Sequence, residues 1–204
     1  MPVRRKGGFF LLETAVAVVI STVLFGAILA MLRSGQDNAR SVWKESRAMA
    51  AMRNATNRLR LDMRQAGRSV MFIGTGTDGN HQLTLQRPVS LNGGHKVWGI
   101  YAAALGRTES ERMKADWRIR YRVLNRTTAS GRADRQLVRQ LLDPGNVVRR
   151  QATLVHFLQT GTDTPRGFSI VRRGNLWRVT ISSRIYDGNE FEVKSTSFNV
   201  KQRN

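Results

Sequence analysis

The sequence contains no cysteine, only 14 acidic residues against 34 lysines and arginines, and no proline between Pro2 and Pro88. Without cysteine there is no disulfide framework and no thiolate zinc site, so packing and strand pairing must stabilise the fold. Without proline, the segment between these two residues can form an uninterrupted helix. The three histidines are scattered and lack the spacing of a metal site. We therefore predict no metal, no cofactor and no catalytic residues, and we expect the protein not to be an enzyme.

The shortage of acidic residues leaves a formal net charge of +20 at pH 7. An excess of this size creates a positive field over much of the surface. DNA, acidic polysaccharide, anionic lipid headgroups and an acidic partner subunit are all compatible with that field, as is a basic surface that is simply solvated. No recognised nucleic-acid-binding motif accompanies the charge. Nucleic acid is therefore a possible partner of the chain but not the favoured one.

A long apolar run follows directly after a short basic segment near the N-terminus. From Phe9 to Leu32 the only ionisable side chain is that of Glu13. At about 1.5 Å per residue this run forms a helix about 36 Å long, which is enough to cross a hydrocarbon core of about 30 Å. A carboxylate inside such a segment costs about 2.5–3.5 kcal/mol on insertion scales. We therefore expect Glu13 to have a functional partner.

The residues at the start of this run stand in a fixed register. The basic leader ends at Gly8, Phe9 follows it, and Glu13 is the fifth residue counted from Phe9. In a secretory signal the apolar region precedes the cleavage site and is removed, whereas here the small residue precedes the apolar run. This arrangement resembles the class III leader of type IV pilins and type II secretion pseudopilins. Leu11 and Leu12 match the apolar third and fourth mature positions of that family.

The resemblance implies a route of processing and assembly. Prepilin peptidase would cleave after Gly8 and methylate the new N-terminal amine of Phe9. The carboxylate of Glu13 would pair with the Phe9 amine of a neighbouring subunit and so set the register between subunits. The residues leave open an alternative, an uncleaved single-pass anchor with Glu13 near the cytoplasmic interface. Charge does not decide the orientation, because basic residues both precede and follow the run.

Beyond the apolar run, the sequence predicts that the helix continues as an amphipathic one. A stripe of residues recurs at steps of three and four, which places its members on one helical face. The members of this stripe are Val42, Glu45, Met49, Met52, Thr56, Leu59, Met63 and Ala66. Gly67 is the predicted C-terminal cap, with Arg64 in the last turn. The expected organisation is a cleaved leader over 1–8, a transmembrane half-helix over 9–32, an amphipathic half-helix over 33–66 and a globular β domain over 67–204.

After residue 67 the apolar period changes to two, which is typical of strands. Strands are predicted at 69–73, 82–86, 97–101, 116–124, 136–141, 154–159, 168–172, 176–185 and 191–200, with turn-forming glycine, asparagine and aspartate between several of them. The predicted fold class is therefore α+β, in which a long N-terminal helix packs on an antiparallel β domain. This is also the architecture of the pilin superfamily.

The clearest of these strands carries a row of arginines. In residues 116–124, apolar side chains alternate with Arg118, Arg120 and Arg122. One face of the strand is thus predicted to be apolar and the other to be a row of guanidinium groups, which is a candidate surface for an anionic partner. This strand is followed by the strands at Gln136 and Trp177 and by the closing residues 196–200, and this succession is similar to that of the minor pseudopilin J and minor pilin W group. Unlike many major pilins, the chain has neither a C-terminal disulfide loop nor a mid-helix proline.

The resemblance implies a minor pilin or minor pseudopilin, a structural subunit of the tip complex that primes assembly of a type IV pilus or type II secretion pseudopilus. Its partners would be prepilin peptidase, sibling minor and major pilins or pseudopilins, and inner-membrane lipid. It would be a single-pass protein of the bacterial inner membrane, with its globular domain in the periplasm or on the outer side. Two alternatives are a DNA-binding minor pilin of a DNA-uptake pilus and a plain membrane-anchored periplasmic binding module.

Overall fold

The computed structural model describes residues 7–66, 71–90, 96–101, 113–129, 131–186 and 191–201. The elements are α1 (Gly7–Gln65), β1 (Met71–Thr75), β2 (His81–Leu85), β3 (Arg87–Ser90), β4 (Lys96–Tyr101), β5 (Met113–Ala115), β6 (Arg118–Thr127), β7 (Ala133–Leu142), β8 (Val148–Val155), β9 (Phe168–Arg173), β10 (Leu176–Tyr186) and β11 (Phe191–Lys201). The chain therefore has the α+β layout predicted from the change of apolar period. The helix ends at Gln65, and the predicted cap at Gly67 lies outside the described residues.

Contacts divide the chain into two compact units, residues 1–44 and 45–204. The described part of the first unit consists of α1 alone, because that helix runs without interruption from Gly7 through residue 44. The second unit contains the remainder of α1 and the strands. Since no proline occurs within α1, each residue of the helix interior can donate its backbone N–H to the preceding turn.

The described strands of the second unit form three antiparallel sheets. The largest has the order β1-β2-β6-β7-β8, and the two others have the orders β11-β10-β9 and β3-β4-β5. The β6–β7 pair runs in continuous register from Arg118 opposite Leu142 to Thr127 opposite Ala133. The β10–β11 pair is equally regular over eleven residue pairs. In both hairpins, successive side chains therefore point to opposite faces of the sheet.

The core of the second unit lies between the last five turns of α1 and the inner faces of two sheets. Alternate residues of β2, β6 and β10 supply the sheet side of the core, as the period of two predicts. The members of this core that have no exposed surface are Met52, Leu59, Met63, Leu83, Leu85, Ile119, Tyr121, Leu137, Phe168, Val179, Ile181 and Val200. The predicted stripe of α1 is therefore the buried face from Met52 onward, whereas its first member, Val42, is exposed.

Three strands differ from the prediction. β3 and β5 were not expected, and β8 covers Val148–Val155 where residues 154–159 had been predicted. Residues 156–160 instead begin a connection in which Leu158 forms an isolated bridge to Ser183 of β10. The connection over 156–167 then leads into β9.

The connection over 156–167 contacts the β1–β2 turn at very short range. The backbone N–H of Gly161 donates to the carbonyl of Asp78 at 3.0 Å. The side chain of Asn80 donates to the carbonyl of Gln159 at 3.3 Å and accepts from the N–H of Phe168 at 2.7 Å. A side chain on Gly161 would overlap with the backbone of Gly79 and Asn80, so glycine is required there. This contact joins the five-stranded sheet to β9.

Candidate functional site

The N-terminal half of α1 presents apolar side chains on all sides. Every described side chain from Leu11 to Leu32 is exposed, and the largest among them include Phe25 at 68% and Met31 at 76%. The hydroxyl of Thr14 donates to the carbonyl of Leu11 at 3.1 Å, which satisfies the hydroxyl within the helix. Monomeric soluble proteins rarely expose a continuous apolar surface of this size. The segment therefore requires a cover of lipid or of other protein.

By length and composition, α1 is a helix that could cross a membrane, and it lies near the N-terminus. About 20 apolar residues in helical form suffice for a hydrocarbon core of about 30 Å. The hydroxyl of Thr22 donates to the carbonyl of Val18 at 2.7 Å, so this polar group also needs no partner from water. Internal satisfaction of polar groups is what a lipid environment demands.

The predicted processing and pairing residues all lie on this helix. The backbone of Gly8 and Phe9 is helical, since α1 begins at Gly7, while the Phe9 side chain lies outside the described residues. The side chain of Glu13 is exposed, among exposed apolar neighbours. Its position is open to a partner from a second chain. Within the described residues of this one chain, no ion pair involves Glu13.

The predicted arginine row of β6 is partly buried and bonded to its own sheet. Arg118, Arg120 and Arg122 are each half-buried on the face opposite the buried Ile119. Arg118 Nη1 donates to the side-chain oxygen of Asn146 at 3.1 Å, and Arg120 Nε donates to the side-chain oxygen of Gln140 at 2.9 Å. Burial lowers the pKa of Arg120, and repulsion from Arg122 adds to that effect. The row is thus only partly available to an external anion.

A buried charged cluster, which the sequence analysis did not identify, holds α1 against the sheets. Asp62 is 1% exposed. Its Oδ2 accepts hydrogen bonds from the Tyr121 hydroxyl at 2.6 Å and from Arg139 Nε at 2.8 Å. Its Oδ1 lies 3.4 Å from Arg87 Nη1. One carboxylate of α1 therefore connects to β6, β7 and β3, and we call this set the Asp62 cluster.

The electrostatics of the Asp62 cluster follow from burial and from the single negative charge. Burial raises the pKa of Tyr121 well above its usual value, and the neighbouring charge of Asp62 raises it further, so the phenol stays protonated and donates. Burial acts to lower the pKa of Arg139, but the attraction of Asp62 outweighs it and the pKa is raised. The Nη2 of Arg139 is buried and has no hydrogen-bond partner among the described residues. The cluster is a structural anchor in which cations outnumber the anion.

A sequence signal for this cluster was present. Asp62 comes three residues after Leu59 and directly before Met63, two members of the predicted stripe, and it is the only acidic residue of α1 after Glu45. Arg139 lies between Leu137 and Leu141, where the period of two assigns it to the core face of β7. A buried acid and a buried base on facing elements are expected to pair.

His81, His156 and Asp78 form structural contacts. His81 Nδ1 accepts from the backbone N–H of Ile170 at 2.8 Å, and its pKa is lowered, chiefly by burial. His156 Nδ1 lies 2.8 Å from the carboxylate of Asp134. Asp78 bonds to its neighbour Asn80, while His95, Asp187 and Glu190 lie outside the described residues. Over the residues that the structure describes, no group of three or more His, Cys, Asp or Glu is arranged to hold a metal ion.

Comparison with known proteins found no matching family model, no matching curated protein and no matching solved structure. Functional inference therefore depends on the residues and on their geometry.

Proposed function

We propose that this chain is a minor pilin or minor pseudopilin, a structural subunit of the tip complex that primes assembly of a type IV pilus or type II secretion pseudopilus. The observation that carries the proposal is the exposed apolar half of α1, which begins next to Gly8-Phe9 and contains Glu13 as its only charged residue. A surface of this kind needs both a membrane before assembly and other subunits after it. Both needs are met in a filament of this class.

The architecture of the second unit supports the same proposal. A single long helix continues from the apolar segment and buries its later turns against antiparallel sheets. This is the layout of a pilin-like fold, which we propose for the chain. The large β domain and the absence of cysteine and of a mid-helix proline favour a minor over a major subunit.

The proposal assigns a role to each residue of the N-terminal register. Prepilin peptidase cleaves after Gly8 and methylates the amine of Phe9. The chain is held in the bacterial inner membrane by residues 9–32, with residues beyond the span on the outer side. Glu13 then pairs with the Phe9 amine of a sibling subunit, because a charge left alone in an apolar filament core would be costly.

The experiment compares Gly8→Val and Glu13→Ala in cells that express the peptidase and the sibling subunits. A side chain at Gly8 restricts the backbone and obstructs the approach of the scissile carbonyl to the peptidase, so Gly8→Val keeps its leader. Glu13→Ala is cleaved normally and inserts in the membrane, but it enters filaments or tip complexes poorly. Intact-mass analysis reports cleavage, and crosslinking to sibling subunits reports incorporation.

Each variant can contradict a separate part of the proposal. Normal release of Phe9 from Gly8→Val would show that Gly8 is not the processing site. Undiminished incorporation of Glu13→Ala would remove the charge pair and leave a simple single-pass anchor.

DNA capture is the second candidate function, and the observation that favours it is the net charge of +20. The half-buried state of Arg118, Arg120 and Arg122 gives it no additional support, since part of their hydrogen-bonding capacity is already used within the sheet.

A further inference from the structure

From Ser46 to Gln65, the outward face of α1 carries cations and no anion. From Ser46 to Gln65 the exposed charged residues of the helix are Arg47, Arg53, Arg58 and Arg64. The only acid in this stretch, Asp62, is buried in the Asp62 cluster, and Glu45, which precedes it, pairs with Lys194 at 2.9 Å. Arg53, Arg58 and Arg64 form no ion pair with any described residue. The positive charge of Arg53, Arg58 and Arg64 is therefore not compensated by an ion pair with any residue that the structure describes.

The electrostatic surroundings of Arg58 reinforce this imbalance. Burial is the main cause that lowers the pKa of Arg87; the attraction of Asp62 acts against it, while repulsion from Arg139 and Arg58 adds to it. Arg58 thus lies close enough to other cations to repel them. An external carboxylate placed beside Arg58 would relieve that repulsion.

Between the arginines runs a narrow seam with the spacing of a helix-packing surface. Ala50, Asn54, Asn57 and Leu61 are all exposed and follow one another at steps of four, three and four. This is the spacing of the a and d positions of a heptad. Leu61 is 53% exposed, although it is a large apolar side chain on an ordered helix. The seam is small and only weakly apolar, so it suits a reversible contact.

The arginines occupy the positions that flank such a seam. In this heptad register, Ala50 and Asn57 are at d positions, and Asn54 and Leu61 are at a positions. Arg53 is then at a g position and Arg58 at an e position. Side chains at e and g form the ion pairs that select the partner helix. Both flanks are cationic here, so the complementary helix carries Asp or Glu at its own flanking positions.

We propose that this surface, the α1 outer face (Ala50, Arg53, Asn54, Asn57, Arg58 and Leu61), docks one acidic helix of a different protein. A second copy of this chain is a poor occupant, since two cationic faces would repel each other. A nucleic acid would use the arginines but would gain nothing from a seam at heptad spacing. The inference is separate from the proposed function, because neither processing at Gly8 nor insertion of residues 9–32 depends on this face.

The test measures binding of two helical peptides to the full-length chain in nanodiscs of zwitterionic lipid at physiological salt. Both peptides have Ala and Leu at their a and d positions. The acidic peptide has Glu at e and g, and the basic peptide has Lys there. Fluorescence anisotropy of the labelled peptides reports affinity. Circular dichroism melting checks that each variant is folded.

Three variants separate a specific helix contact from general charge attraction. Arg53→Glu/Arg58→Glu reverses both flanks, and Ala50→Trp blocks the seam without changing charge. Arg173→Glu/Arg178→Glu is the matched control, because these exposed arginines lie on β9 and β10, away from α1 in sequence, and the change in net charge is the same.

The acidic peptide binds the unchanged chain, and both the flank reversal and Ala50→Trp weaken that binding by about tenfold or more. The control changes it by less than about twofold, and the basic peptide binds only the flank-reversed chain. Absence of saturable acidic-peptide binding overturns the proposal, as does an equal loss in the control. Full binding by Ala50→Trp, or displacement of the peptide by duplex DNA at equal charge concentration, would assign the face to general anion attraction instead.

Discussion

At the scale of single residues, the contact of α1 with the sheets depends strongly on one carboxylate. Asp62 receives hydrogen bonds from Tyr121 and Arg139 and lies next to Arg87, at a site that is closed to water. Removing one partner of a buried ion pair leaves the other charge desolvated and unpaired, which costs about 3–5 kcal/mol. Here Arg87 and Arg139 would lose the one counter-ion that they have among the described residues.

We predict that Asp62→Asn lowers the free energy of unfolding by about 3–5 kcal/mol, because it keeps the volume of the side chain and removes its charge. Denaturant unfolding of the full-length chain in detergent, followed by tryptophan fluorescence, measures the change. Glu45→Gln on the same helix is the control. Glu45 is partly exposed in its pair with Lys194, so this change costs less than about 1 kcal/mol. Equal losses in the two variants would contradict the anchoring role of Asp62.

The sequence predicted the existence of a buried helix face but not the cluster within it. Met52, Leu59 and Met63 follow the helical period and are buried as predicted. Asp62 does not break the helical period of the apolar residues, and an isolated acid among basic residues has the pattern of a solvated charge. Its pairing with Arg139 depends on which strand lies opposite α1, and a single-sequence pattern does not supply that information.

At the scale of elements, strands whose sequence alternates clearly were predictable, whereas β3, β5 and β8 were not. β6 and β10 alternate clearly and appear at nearly the predicted positions. β3 contains Pro88, which argues against a central strand, but β3 lies at the edge of its sheet, where proline is tolerated. β8 is also an edge strand, and residues 148–153 are exposed, so its sequence has no alternation to detect.

The connection over 156–167 provides an element-scale prediction. Gly161→Ala adds a methyl group that overlaps with the backbone of Gly79 and Asn80, and backbone cannot move aside as a flexible side chain can. Overpacking of this kind costs about 1–3 kcal/mol. We therefore expect Tm to fall by about 2–4 °C for each kcal/mol lost. Gly74→Ala in the adjoining hairpin is the control, since nothing lies within 4 Å of the added group, and its Tm should stay nearly unchanged.

At the scale of the whole molecule, most of the acidic residues that the structure describes lie in local ion pairs. The acids paired with a described lysine or arginine are Asp37, Glu45, Asp62, Asp143, Asp163 and Glu192. With a net charge of +20, the surface field is therefore set by arginines that remain unpaired. Such a field attracts any polyanion at low salt, whether or not a specific site exists.

The salt dependence of DNA binding distinguishes attraction by the overall positive field from binding at a specific DNA site. Along β6, Arg118, Arg120 and Arg122 are spaced by about 7 Å, which is close to the phosphate spacing along one DNA strand. Each phosphate contact releases counterions, so binding that depends on several contacts falls steeply as salt rises. Arg118 and Arg120 already donate hydrogen bonds to Asn146 and Gln140, so fewer of their N–H groups remain available to a phosphate.

We predict that the full-length chain in neutral detergent binds duplex DNA weakly and without sequence preference at low salt, and that this binding is lost at physiological salt. Replacing Arg118, Arg120 and Arg122 together by glutamine should leave subunit assembly unchanged and reduce DNA binding only in proportion to the charge removed. Arg173→Gln/Arg178→Gln is the control, because it removes two exposed arginines on other strands. It measures how much DNA binding is lost for each positive charge removed. Electrophoretic mobility shifts across a salt series measure the DNA affinity of the unchanged chain and of each variant. Micromolar or tighter binding that persists at physiological salt, and that only the β6 triple variant abolishes, would make DNA capture the leading function of the chain.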